Sequence, residues 1–397
     1  MESLKELYKV GMGPSSSHTI GPQKAAEIIK SKYQGKRIEV TLYSSLALTG
    51  VGHGTDRVIK RVLGDDTIIH FDIDTPVSHP NTLKFDIYDN NKLIKSHTYV
   101  SVGGGSIIEE ETGEKVKIEN IYPYSKFNDR KKYIAENNMT LPEYVFKFED
   151  EGIKDYLLDI YKTMVSSIEN GLKKDGVLPG GLNVKRKAKS IYNLERNESS
   201  SEKEKRLITA YSYAAAEENA SGGVIVTAPT CGASGIVPAA IYYLNEKYHL
   251  SNELIVEMLA VAGLFGNIVK DNASISGAYA GCQSEVGTAC SMAAAMIAYY
   301  KGMALEQIEA AAEIAMEHHL GLTCDPVKGL VQIPCIERNA VATLRAFDAA
   351  LIASLPIYPE KLSFDSVVKT MFETGRDINS KYRETSQGGL AKVEIKE

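Results

Sequence analysis

Cysteine is scarce in this chain and unevenly placed: five among 397 residues, none before Cys231. An odd number, absent from the first 230 residues, does not make a secreted disulfide framework. No two cysteines form a CxxC pair, which removes the usual spacings of zinc fingers and ferredoxins. Tryptophan is missing altogether, which excludes nothing. The chain also lacks a long apolar run. The strongest, over 289–300, stops at Lys301 and is too short to span a bilayer, so no membrane partner is expected. The opening MESLKELYKVGMG lacks the basic-then-apolar pattern of a secretory leader, and a soluble cytoplasmic protein is expected. A net charge of −6 leaves no general footprint for nucleic acid. No internal repeat or low-complexity segment stands out.

What is present is enough apolar side chain, 44% of residues, to bury a large core in two or three domains. The first part reads as α+β. A short helix over ESLKELYKV leads to the turn GMGPSSSHTIGP and a helix from about Gln23 to Tyr33. Alternation over Arg37–Leu48 predicts a strand. GVGHGTD (Gly50–Asp56) reads as a glycine-rich turn entering a helix. TIIHFDI, TLKFDIYD and KLIKSHTYVSV then predict an antiparallel sheet. From 108 to about 150 the composition turns charged, as in a linker with one or two solvated helices. From Glu151 onward Ala-rich helical patterns replace strands, which predicts a compact all-α domain. The expected organisation is an α+β domain over 1–125, a linker over 126–150 and an all-α domain over 151–397.

Four cysteines fall in one stretch, Asn272–Asn339. Cys282 and Cys324 are 42 residues apart, and Cys324 and Cys335 are 11 apart. That spacing fits three buried thiols as well as three metal ligands. Local context favours ligands: Cys324 precedes Asp-Pro, Cys335 follows Ile-Pro, and Cys282 follows GAYAG, so each sits on a constrained turn. Cys290 lies in an apolar helix and reads as core, while Cys231, in TCGASG, reads as a turn residue but not a ligand. His18 and His53 are the base candidates, because imidazole titrates near neutral pH. Their glycine- and serine-rich surroundings read as exposed turns. Asp56 either orients His53 or caps the next helix. Ser15, Ser16, Ser17 and Thr19 can donate to a carboxylate, or one can cap a helix. Asn272, Ser274 and Ser276 precede Cys282 and are candidate substrate contacts. Thr230, Gly232 and Ser234 make a second donor-rich turn. Arg338 either holds a carboxylate or joins a structural ion pair near Glu337. His318 and His319 read as a helix end, where a cation is favoured. Lys185 and Arg186 read as solvated.

GMGPSSSHTIGP, GVGHGTD, NTLKFDIYD, GVLPGGLNVKR, APTCGASGIVPA, the cysteine stretch and SKYRETSQGGLA follow one another in this order. Together they resemble the bacterial iron–sulfur-dependent L-serine dehydratases, over nearly the full length. The resemblance implies a β-type domain followed by an α-type domain in one chain. It implies a [4Fe–4S] cluster held by Cys282, Cys324 and Cys335, and no pyridoxal phosphate. The small amino acid L-serine would lose water to give aminoacrylate, which takes water up again and releases ammonia to leave pyruvate, with His18 or His53 as base. A homodimer is implied by the resemblance alone. L-Cysteine or L-threonine elimination at the same site, and a non-enzymatic metal-binding protein, are the competing readings. The first domain is expected to close over the cluster. Tyr279, Ser284 and Lys328 depart from the family pattern, where a glutamate and two glycines are common. Some members end in a cysteine tail that reaches the cluster; AKVEIKE has none, so that self-capping is not expected.

Overall fold

The structure is a computed structural model whose described residues are 1–110, 119–356 and 361–394. Part of the charged stretch expected as linker, 111–118, and the last three residues of the tail lie outside them. The first part is α+β and the rest is mostly helical, as the patterning predicts.

The sheet has five strands in the order Ile68–Asp72, Arg37–Tyr43, Thr82–Asp89, Lys92–Gly103 and Ser106–Glu109. Alternation sends Val40, Leu42, Leu83, Phe85 and Ile87 to one buried face, which packs with Ala25, Ala26 and Ile29 of the helix Gly21–Lys32. The sheet is antiparallel except at its first edge. There, Ile68–Asp72 runs parallel to Arg37–Tyr43, because two helices cross over between them and bring the chain back in the same direction. Those helices correct the expected boundaries. The strand stops at Tyr43, and Ser44–His53 is already helical. Only Gly54 turns the chain, at φ 77°, before the helix Thr55–Leu63. A left-handed backbone there suits glycine, which has no Cβ to clash.

The helical part is built around Thr288–Tyr300, in which every residue from Thr288 to Ala298 is buried. A helix apolar on all sides belongs inside a core. Its five alanines let the helices Asn252–Asn272, Leu305–Glu317 and Cys335–Ser354 pack closely around it. Asn252–Asn272 is long and apolar enough to cross a membrane, yet 78% of its most apolar window is buried by the other helices, as in a core helix. The helices Phe127–Glu136 and Leu141–Phe148 form where solvated helices were expected. They are not solvated, because Phe127, Leu141 and Tyr144 insert into the same core. Thr140 and Glu143 close a capping box on the second, worth about 1 kcal/mol.

Two excursions tie the ends of the chain to this core. Leu4, Leu7 and Tyr8 are buried in it. The strand Val10–Met12 pairs antiparallel with Val224–Val226, and Thr227 donates to the carbonyls of Leu7 and Lys9. The serine-rich turn after Met12 is thereby held beside the loop 228–235. At the other end, the segment after the helix Phe364–Asp377 folds back along Cys324. The Cys324 amide donates to the Tyr382 carbonyl at 2.8 Å, and the Glu384 amide donates to the Cys324 carbonyl at 2.6 Å.

Candidate active site

His18 and His53 are buried, not exposed as their sequence surroundings suggest. The reason is the closure of the two parts over both turns. Ser15 caps a helical turn, Ser16–Ile20, that carries His18, and His53 ends the helix Ser44–His53. The rings stack with centroids 4.3 Å apart. Hydrogen bonding assigns their tautomers. Thr49 Oγ1 donates to the Ser45 carbonyl, so at 2.9 Å it accepts from His18 Nε2, leaving His18 Nδ1 as acceptor for Ser17 Oγ at 3.0 Å. His53 Nδ1 donates to the Thr49 carbonyl at 3.0 Å, leaving a lone pair on Nε2. Both unprotonated nitrogens, His18 Nδ1 and His53 Nε2, face one oxygen, Glu384 Oε1, each at 3.5 Å. Burial and the neighbouring His53 hold His18 well below the ordinary imidazole range, and burial takes His53 down to about 4. Both rings are therefore neutral at neutral pH. Burial, then the charges of Glu285 and Cys282, push the Glu384 carboxyl well above its usual range.

Cys282, Cys324 and Cys335 line one small inner cavity together with Ser15, His53, Glu285 and Glu384. Cys282 opens a helical turn that runs into Thr288–Tyr300, Cys335 opens the helix Cys335–Ser354, and Cys324 is pinned between them by the returning C-terminal segment. A hydrogen bond from Cys324, with help from Arg338, brings the Cys282 thiol down to about 7, against the cost of burial. Glu285 goes the other way. Burial and the Cys282 charge raise it to about 8, opposed by the Thr230 hydroxyl that donates to it at 2.8 Å. Gly277 leaves room for this arrangement. A Cβ there would overlap Glu285 Oε2 and come within 3.1 Å of Cys324 Sγ. Gly277→Ala is expected to destabilise the fold by about 1–3 kcal/mol through overpacking. An unchanged thermal midpoint would show that Glu285 swings clear freely.

The other candidates divide. Ser15 reaches the inner cavity, and Thr19 reaches a larger outer one. Ser16 and Ser17 are buried, Ser17 against His18. Thr230 touches the site through Glu285, whereas Ser234 is buried with its hydroxyl unpartnered. Arg338 donates to the Thr323 carbonyl at 2.7 Å and to Asp325 at 3.2 Å, so its ion pair is with Asp325, while Glu337 pairs with Lys187. Asn272 and Ser274 do not reach the cavity. Asn272 Nδ2 donates to the carbonyls of Ser125 and Ile268, and Ser274 lines a separate depression near Glu2. The helix ends at Asn272 and the chain turns away before it returns to Cys282. His53 is oriented by Thr49, not by Asp56, which sits in the first turn of the next helix. His319 bonds the Ala315 carbonyl, but burial lowers its pKa to about 4, so the expected helix-end cation is not favoured there. Cys290 is core: its thiol donates to the Ala342 carbonyl.

Three residues of the site were missed in the sequence. Glu285 lies three positions after Cys282, a spacing that places both on one face of a helical turn. Glu384 lies within SKYRETSQGGLA, and its backbone at φ 57° is the signal that only the structure supplies. Asn339 ties the loop 228–235 to the third cysteine: it accepts from the Gly235 amide at 2.9 Å and donates to the carbonyls of Gly232 and Cys335.

Residues 77–391 match the family described as serine dehydratase alpha chain, and residues 3–76 match serine dehydratase beta chain. The L-serine dehydratase of Haemophilus influenzae is 40% identical over 98% of this chain and 99% of its own length. L-serine dehydratase 2 of Escherichia coli and the L-serine dehydratase of Streptomyces coelicolor are each 38% identical, over 98% of this chain and 98% of their own.

Proposed function

The chain belongs to the serine dehydratase family of lyases, with the beta part preceding the alpha part in one polypeptide, and from that premise we propose that it converts L-serine to pyruvate and ammonia. The observation that carries the reading is the shared inner cavity, where three cysteines meet a neutral histidine base. The donor set fits a [4Fe–4S] cluster. Cys282, Cys324 and Cys335 would hold it, Arg338 lies close enough to offset thiolate charge, and no fourth cysteine lines the cavity among the described residues. The chemistry supplied by the bound cluster is Lewis-acid polarisation of the substrate β-hydroxyl at an iron without a thiolate.

The protein's own groups do the rest. His53 is the base of choice over His18, because His53 lines both cavities and His18 lines neither. Its Nε2 lone pair takes the α-proton, while the bond from Nδ1 to the Thr49 carbonyl keeps that lone pair on Nε2. His18 stacks against the base and helps fix its plane, while Glu384 Oε1 faces the same Nε2 at 3.5 Å. Burial keeps bulk water from competing for the α-proton and the lone pair.

The test is anaerobic purification followed by assay. We expect a brown protein with about four irons and four sulfides per chain that forms pyruvate from L-serine, loses activity in air, and is indifferent to carbonyl reagents. Dominant release of sulfide from L-cysteine or of 2-oxobutyrate from L-threonine would move the substrate. A colourless, zinc-loaded protein without lyase activity would end the reading.

A further inference from the structure

Outside the cysteine cavity lies a second, larger one of about 440 Å³, several times the volume of a three-carbon amino acid. Its wall includes Gln23, His53, Arg57, Arg61 and Lys328, and among the described residues it contains no aspartate or glutamate. Arg57 and Arg61 are four residues apart on the helix Thr55–Leu63, so they project on the same side. Arg61 donates to the Met12 sulfur at 3.0 Å. Among the described residues none of the three cations has a carboxylate partner, although 51 acidic residues are available in the chain. Lys328 comes from the opposite part of the molecule and holds a left-handed backbone, φ 51°, which costs a non-glycine residue on the order of 1 kcal/mol. Like charges gathered without a counter-charge repel one another, an arrangement that an anion would relieve.

The outer cavity adjoins the inner one, because Pro14, His53 and Val331 belong to both walls. A small molecule leaving the cysteines therefore meets the cations first. L-Serine is a zwitterion of net charge zero, whose ammonium is repelled where its carboxylate is drawn in. The product of the proposed reaction is a 2-oxo acid, a monoanion with no ammonium. A cationic wall separates the two by net charge.

We propose that the outer cavity is an anion site that retains the 2-oxo acid product through Arg57, Arg61 and Lys328, so that accumulated product slows its own further formation. The identity of the anion rests on the serine reading, but the site itself does not. The experiment is calorimetric titration of the anaerobic holoenzyme at low ionic strength with pyruvate, and separately with L-alanine, which has the same carbon skeleton as a zwitterion and carries no leaving group. Pyruvate is expected to bind at least about tenfold more tightly than L-alanine, and to weaken as salt rises over the range where charges are screened. In the double variant R57Q/R61Q, pyruvate binding falls at least about tenfold and loses most of its salt dependence, L-alanine binding changes little, and inhibition of turnover by pyruvate weakens in parallel. R57K/R61K keeps the charge and keeps the binding, which excludes a folding defect. Pyruvate binding no tighter than L-alanine binding, or equal in the parent and R57Q/R61Q, overturns the proposal. A protein that binds pyruvate through these arginines but does not turn over L-serine keeps the anion site and discards the reaction. The reverse outcome keeps the reaction and discards the site.

Discussion

Cys335→Ala, like Cys282→Ala and Cys324→Ala, is expected to leave a folded protein that has lost its iron and sulfide and forms pyruvate at least about a thousandfold more slowly. The magnitude follows from removing a Lewis acid that stabilises a departing hydroxide by several kcal/mol. Cys335 is the informative one of the three. Cys282 and Cys324 are close enough to share a hydrogen bond, so either could be explained as half of a local thiol pair. Cys335 begins a different helix and meets them only at the cavity wall. The control is Cys290→Ala. That thiol is buried eight residues from Cys282, in the first turn of the core helix, and it touches the Ala342 carbonyl rather than the cavity. Its loss removes a small packed group and costs about 1 kcal/mol, with iron, sulfide and activity retained. Iron and sulfide analysis beside the pyruvate assay reads all four variants. Loss of the cluster in Cys290→Ala together with its retention in Cys335→Ala would reverse the assignment.

Much of the cysteine half of the site was legible because the turns around those residues are local features: proline two residues after Cys324 and directly before Cys335, glycine before Cys282. The family resemblance then selected the three cysteines proposed as ligands, which spacing left open. The histidine half was legible in identity but not in environment. Serine- and glycine-rich stretches read as surface because few apolar side chains accompany them. Here the covering includes a residue distant in the chain, Glu384, which arrives from the C-terminal segment onto Ser45 and both rings. Asn272 and Ser274 show the opposite error. Closeness in sequence to Cys282 suggested closeness in space, but the end of a helix intervenes and turns them to another face. The strand over Arg37–Tyr43 was visible by alternation, whereas the apolar run after it passed for more strand because Leu46 and Ala47 are buried as helix residues there.

His53→Gln is expected to keep its iron and lower kcat by about 10²–10⁴, the usual contribution of a positioned base. His18→Gln removes only a support of that base and is expected to cost about tenfold or less. The pH profile carries the same assignment independently. The working form of His53 is neutral, and its folded pKa is depressed to about 4. Activity on the acid side should therefore stay level down to near pH 5 and fall only below that, as the proton occupies Nε2. The stability sign follows from the same shift. An unfolded histidine takes its proton near pH 6.5 and the folded one near 4, so between these values the unfolded state binds more protons and stability falls as pH falls. From pH 7 to pH 5 this amounts to about 2 kcal/mol, present in the parent and absent in His53→Gln when urea midpoints are compared at the two pH values. A kcat/KM profile with an acid limb near 6.5 would mean that His53 is hydrated and ordinary. Full kcat in His53→Gln would mean that the α-proton goes elsewhere, with His18 as the next group in line.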